Sequence, residues 1–326
     1  MRIRMVAGAI AALAGTPMLF SASAVAQEYP TKPIRMIIPF PPGGGTDILS
    51  RALAQRITEQ TKWSIVLENK PGAGGSIGVE QAARAAADGY TMVMGQTSNL
   101  ALNPTLNAKL TYDPIKDLKP VSMVASGPLM LVASTQWRIA DLKGLIADAK
   151  ANPGKVMFGS PGNGTLGHLG GELFKARAGV DLQHIPYRGA AQALTDVMGG
   201  RLDLYVSTIP AALGQIKGGK LKGVGVMGPQ RHPDMPNVPT VSETIGSPVD
   251  VANWYGVLVP AATPQAIVNR LSAEVVKALA SDSVKAKLAA EGVTPLSSTP
   301  DAFAAHIKAE IAKWAPIIKA TGVKME

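Results

Sequence analysis

Two loops in this chain have the composition to hold an anion. The first, Pro41-Pro42-Gly43-Gly44-Gly45, follows an apolar run at 36–40. It precedes Thr46 and Asp47, either of which can cap a helix carrying Leu49, Leu53 and Ile57 on one face. The second, Gly159-Ser160-Pro161-Gly162-Asn163-Gly164-Thr165-Leu166-Gly167-His168, follows the run 155–158 and opens a helix with Leu166, Leu169 and Leu173 on one face. Glycine lets a ligand reach the backbone, and a helix start offers unpaired N–H groups at the positive end of its dipole. One helix end contributes about 0.3–1 kcal/mol, so several N–H groups must act together.

Other polar residues stand where strands end. Tyr187 and Arg188 precede a helix at 190–199, Thr97 and Ser98 follow the run 91–94, and Ser207 and Thr208 close the run 202–207. In open α/β sheets such ends face the ligand crevice. His168, just inside a helix start, can donate to a carboxylate or hold its own loop through a backbone bond.

Two rival chemistries meet their limits in the residues. Gly162, Gly164 and Gly167 match the dinucleotide fingerprint of NAD(P) enzymes, yet the next strand ends at Pro186-Tyr187-Arg188 with no acid for a ribose hydroxyl. Gly74-Gly75-Ser76-Ile77-Gly78 matches a hydrolase nucleophile elbow, but loop residues 69–74 separate it from its strand. None of the four histidines is singled out to complete a triad. No spacing of His, Asp and Glu suggests a metal site, and no carboxylate pair suggests acid–base work, so neither a cofactor nor catalysis is expected. Sparse aromatics argue against a sugar cleft. Backbone N–H groups, hydroxyls and one arginine suit a ligand with two carboxylates, or one carboxylate and another polar end.

These residues need a scaffold, and the pattern supplies one. Short β-like runs alternate with helical runs from Tyr29 onward, which means α/β with largely parallel sheets. Gly127-Pro128 and the segment 226–229 interrupt apolar runs and mark domain crossings. The expected organisation is one lobe from 28–127 and 228–326, a second from 128–227, and a cleft between them. Residues 1–26 read as an export signal: Arg2 and Arg4, an apolar stretch at 5–20, then Ala24-Val25-Ala26 with cleavage after Ala26. The apolar stretch is shorter than the roughly 20 residues of a membrane span. The chain has no cysteine and a net charge of +9. Its Lys and Arg are scattered without interleaved aromatics, which argues against a nucleic-acid partner.

Together these motifs resemble a known family: the Bug-type extracytoplasmic solute receptors of tripartite tricarboxylate transporters. The resemblance runs from Tyr29 to about Gly322 and rests on Tyr29-Pro30, Lys32-Pro33-Ile34-Arg35 and the stretch from Pro39 through Asp47. Asn69-Lys70-Pro71-Gly72 and its continuation to Gly78, Asp88-Gly89-Tyr90-Thr91 and the loop 159–168 add to it. So do Pro186-Tyr187-Arg188-Gly189, Val238-Pro239-Thr240 and Trp254-Tyr255-Gly256. The resemblance implies a type II-like, two-lobed periplasmic binding protein fold: two doubly wound sheets joined by a two-strand hinge and closing on a small organic acid. It implies a periplasmic monomer that is not an enzyme and hands its ligand to integral-membrane transporter subunits. The alternative role is reporting the ligand to a membrane signalling protein. Carried over by position, the ligand residues are Phe40, Pro41, Gly43, Gly44, Thr46 and Asp47 in the first lobe, with Asp47 better placed as a cap. In the second they are Ser160, Gly164, Thr165, His168, Tyr187 and Arg188. Where many relatives carry an aspartate this chain has Ser207-Thr208, which disfavours a ligand amine.

Overall fold

The computed structural model describes residues 29–323; the expected export segment lies outside them. The first lobe begins with β1 (Ile34–Ile38), α1 (Gly45–Thr61), β2 (Ile65–Asn69), α2 (Ser76–Ala83) and β3 (Thr91–Gln96). A π-helical turn, Ser98–Leu102, and α3 (Asn103–Leu106) lead into the long β4 (Leu118–Ser134). The second lobe contributes α4 (Leu142–Ala151), β5 (Met157–Ser160), α5 (Leu166–Ala178), β6 (Gln183–Pro186), α6 (Ala190–Met198), β7 (Leu204–Thr208), α7 (Ile209–Lys217) and β8 (Leu221–Val226). After α8 (Val241–Ile245), the chain returns through β9 (Ala252–Pro260), α9 (Gln265–Ala280), α10 (Asp282–Ala290), β10 (Thr294–Pro295) and α11 (Pro300–Thr321).

The strands follow one curled path, β2-β1-β3-β9-β4-β7-β5-β6, with β8 and β10 also on β4. Parallel pairing is confined to β1 with β2 and β3, and β5 with β6 and β7; all other ladders are antiparallel. Each sheet is therefore mixed rather than largely parallel. The antiparallel share comes from the strands that cross between lobes.

Sequence spacing suggested two runs broken at Gly127-Pro128. They form one strand, β4, whose residues 118–128 pair with β9 and whose residues 129–134 pair with β7 and β8. Proline is tolerated because the chain changes sheet there, and the next amide, Leu129 N–H, donates to Val251 O at 2.9 Å. A side chain at Gly127 would stand 2.8 Å from Val293, so the crossing is too tight for a Cβ. On the return, Val226 bridges to Thr240 and α8 packs on α4 and α5. The chain re-enters the first sheet at Ala252, after a proline-rich segment that bridges Val226 at Thr240 and reaches Gly292 through His232.

Three apolar clusters hold this together. One lies under α1 and α9 (Leu49, Leu53, Val268, Val275) and one between α6 and α7 (Leu194, Val197, Ile209, Leu213). The third spans both lobes through Leu129, Leu166, Trp254 and Phe303. β1 and β3 are buried almost throughout because both faces are covered.

Candidate functional site

β1 delivers the chain to Phe40 and the first glycine loop. Gly43 sits at φ +81°, a left-handed conformation that suits glycine. The helix begins earlier than the sequence suggests. Gly44 is the N-cap, no side chain caps α1, and the first helical bond runs from Ile48 N–H to Gly44 O. Neither Thr46 nor Asp47 caps it, so the amides of the first turn remain available.

Asp47 instead ties the loop. Its carboxylate accepts from Gly43 N–H at 3.1 Å, from Arg51 at 2.7 and 2.9 Å, and from Asn69 Nδ2 at 3.0 Å. The same Asn69 amide reaches Phe40 O at 2.9 Å. Burial pushes the Asp47 carboxyl up, but these donors outweigh it and bring it below the usual carboxylate range.

The second loop has the same plan and a different tie. Gly162 and Gly164 take positive φ between β5 and α5. Ser160 Oγ lies 2.7 Å from His184 Nε2 and 3.0 Å from Gly162 O. The ring of His184 stacks on that of His168 at 3.8 Å, and His168 Nδ1 accepts from Gly164 N–H at 3.2 Å. An accepting Nδ1 carries no proton, so His168 is neutral here. Burial lowers His168 to about 4 and His184 to about 3, with Lys175 adding repulsion to both. Thr165 is the N-cap of α5, yet its hydroxyl donates backward to Gly162 O at 2.7 Å and does not cap.

The lobes touch along both loops. A Cβ on Gly189 would stand 2.8 Å from Pro41 Cγ. One on Gly45 would stand 2.7 Å from Tyr255 Oη and 2.8 Å from Thr208 Oγ1. These glycines let two helix starts approach the facing lobe. Ser98 Oγ, from the first lobe, accepts from Leu166 N–H at the start of α5 at 3.0 Å.

Between them lies an inner pocket of about 50 Å³. Four helix starts line it: residues 44–46 of α1, 165–167 of α5, 189–190 of α6, and Thr208 before α7. None of the four is capped by the side chain of its own N-cap residue, and only α5 receives a bond from elsewhere, at Leu166 N–H from Ser98. Phe40, Leu129, Tyr205 and Val206 form apolar walls, with Gln96, Ser98 and Asn253 as polar groups. Asn253 Nδ2 donates to Gln96 Oε1 at 2.5 Å. Among the described residues no charged side chain lines this pocket. An outer pocket of about 550 Å³ shares Phe40, Pro41, Pro161 and Gly189 as a collar. Arg188 is its one charged lining residue among the described residues; it is exposed and makes no ion pair there.

The residues singled out from sequence divide by position. Phe40, Pro41, Gly44, Thr46, Ser98 and Thr165 line the inner pocket; Tyr187 and Arg188 line the outer one. Tyr187 is braced by its hydroxyl on Asp196 at 2.9 Å. Gly43, Asp47, Ser160, Gly164 and His168 lie behind the pockets and hold the loops. Thr97 Oγ1 accepts from Trp254 N–H, and Ser207 Oγ donates to Thr208 O, so both serve the strands they end. Gln96, Thr208, Gly189 and Asn253 are additional lining residues. The strand-end rule reaches Thr208, while nothing local in the sequence pairs Gln96 with Asn253. Ser76 Oγ is buried and accepts from Asn103 Nδ2 at 2.7 Å, without a histidine to activate it. Among the described residues no cluster of three metal-ligating side chains occurs.

Comparison with known proteins places these features in a family. The model of the tripartite tricarboxylate transporter family receptor matches residues 49–323. The BugT protein of Bordetella pertussis is 38% identical, over 100% of this chain and 99% of BugT. An R. palustris protein solved with adipate superposes with a TM-score of 0.88 at 33% identity, covering 91% of this chain and 99% of that one. MatC from Rhodopseudomonas palustris, solved with bound malate, gives 0.83 at 28% identity, covering 89% and 100%.

Proposed function

Because this chain belongs to the tripartite tricarboxylate transporter receptor family, we propose that its cleft captures a small dicarboxylate lengthwise. As a receptor of that family it is not an enzyme; it binds a solute and yields it unchanged to a transporter. One carboxylate enters the inner pocket, where the amides of residues 44–46, Gly167 and Ala190 and the hydroxyls of Thr46 and Thr208 surround it. The carbon chain passes the collar of Phe40, Pro41 and Pro161, and the second carboxylate meets Arg188 at the mouth. The adipate and malate held by the two R. palustris relatives are acids of this class.

The observation that carries this reading is the convergence of four helix starts, none capped by its own N-cap side chain, on a pocket that has no charged side chain among the described residues. Each dipole end presents about half a positive charge. A carboxylate is stabilised there with no counter-ion to desolvate. The lack of an acidic lining residue disfavours amino acids, whose ammonium group has no partner. We further propose that residues 1–26 direct export to the periplasm, where the ligand passes to the transporter's membrane subunits.

A thermal-shift panel on the mature protein tests this. Dicarboxylates of four to six carbons at a hundredfold excess over Kd add about 2.7 kcal/mol of stability, or about 4 °C in Tm. Their monoamides should give clearly less. Equal shifts from a diacid and its monoamide, or a response to amino acids alone, would refute the lengthwise arrangement.

A further inference from the structure

We propose that Ser98 couples acid capture to lobe closure: its hydroxyl caps a helix of the opposite lobe and offers its own proton to the acid between them. The acid half rests on the reading above; the closure half does not.

Ser98 opens the π-helical turn that follows β3. Such turns are rare and cluster at functional sites. Its neighbours pin it within the first lobe. Thr97 Oγ1 accepts from Trp254 N–H at 3.0 Å, and Asn99 Oδ1 accepts from Gln96 N–H at 3.0 Å. Opposite stands the start of α5. Thr165 has turned its hydroxyl back to Gly162 O, so the helix lacks a cap from its own lobe. Ser98 Oγ supplies one by accepting from Leu166 N–H at 3.0 Å. This bond exists only while the lobes are together.

The hydroxyl is buried and lines the inner pocket, and its proton has no acceptor among the described residues. A carboxylate in the pocket provides one. Donating to an anion polarises the hydroxyl oxygen and makes it a better acceptor for Leu166 N–H, so capture and closure reinforce each other. Opposing closure, Asn253 Oδ1, in the lining of the inner pocket, is buried without a partner among the described residues, a cost that water relieves once the cleft opens. With opposing contributions of this size, one hydrogen bond is enough to shift the balance between the open and closed forms.

Small-angle X-ray scattering on the mature protein without any acid tests the closure half. Ser98→Ala should increase the radius of gyration relative to the parent protein. Leu166→Pro deletes the donor and leaves Ser98 in place. Proline fits the first helical position after Thr165, whose ψ is 162°. It should cause the same opening, and the double variant should open no further. Titrations with adipate and malate test coupling. Ser98→Ala should weaken both by one common factor of about three- to tenfold, since both acids lose the same donor and the same closing bond. An unchanged radius in Ser98→Ala, or an affinity loss confined to one acid, overturns the proposal. If neither acid binds the parent protein, the ligand assignment fails, and the scattering still decides whether Ser98 holds the lobes.

Discussion

The two glycine loops share a plan and differ in what secures them. The loop before α1 hangs on an ionised carboxylate surrounded by Arg51, Asn69 and Gly43 N–H. The loop before α5 hangs on two neutral, stacked imidazoles and a serine. The difference shows in acid. The Asp47 carboxyl titrates below its usual range, so its contribution is complete above the unfolded-state value and fades only as pH falls through the depressed one. The histidines behave differently because their folded values, about 4 and about 3, lie below the ordinary 6.5. Below that pH the unfolded chain takes up protons that the folded chain refuses. Their contribution is whole above 6.5 and declines as pH drops towards 4. Mild acid therefore erodes the stability contributed by the second lobe's histidines while the contribution of the first lobe's Asp47 stays whole.

The largest test of this contrast is Asp47→Ala. It strands Gly43 N–H, Arg51 and Asn69 together, and should cost about 2–3 kcal/mol in urea unfolding, the scale of hydrogen bonds to a charged group. Affinity for diacids should fall more than tenfold. Retained affinity would mean that the loop's shape does not depend on this tie. Next, the parent protein should unfold at lower urea at pH 4.5 than at pH 7, and a His168→Gln, His184→Gln double variant should flatten that dependence. An unaltered pH profile in the double variant would remove the histidines from the account. Arg188→Gln should weaken diacids by about tenfold, in the range of a charge-assisted contact, and spare monoacids. Its loss should also reduce the salt dependence of binding. The smallest effect belongs to Ser76→Ala in the third glycine-rich loop. Binding should be unchanged and stability should fall by about 1 kcal/mol, since only the bond from Asn103 is lost. A tenfold loss of affinity there would make this loop a third anchor.

The parts legible in the sequence are those that local chemistry decides. Strand, glycine loop and amphipathic helix follow one another within about twenty residues, so both loops stand out from spacing alone. Asp47 was readable as structural, though its partner is the loop amide of Gly43 rather than the helix end. Sequence alone allows His168 either a ligand or a loop role, and in the structure it accepts from Gly164 N–H. What escaped the sequence is carried by contacts between distant residues. Gln96 meets Asn253 across the sheet, Ser98 meets Leu166 across the cleft, and Gly45 and Gly189 are small because the opposite lobe presses on them. The unbroken course of β4 was hidden for a related reason. Gly127 and Pro128 are turn formers by habit, and only their pairing with Asn253 and Ala252 of β9 shows that the chain runs straight on.

That strand has a mechanical consequence. β4 belongs to both lobes at once and the returning chain crosses beside it, Met227 N–H bonded to Leu129 O, so a closing rotation is taken up as twist in the narrow ribbon that the two crossings form at Gly127 and Pro128. It acts as a torsion bar, storing elastic energy in proportion to the square of the rotation and returning it on release. It also makes the lobes inseparable as modules: cutting between residues 128 and 129 would sever a strand that both sheets share.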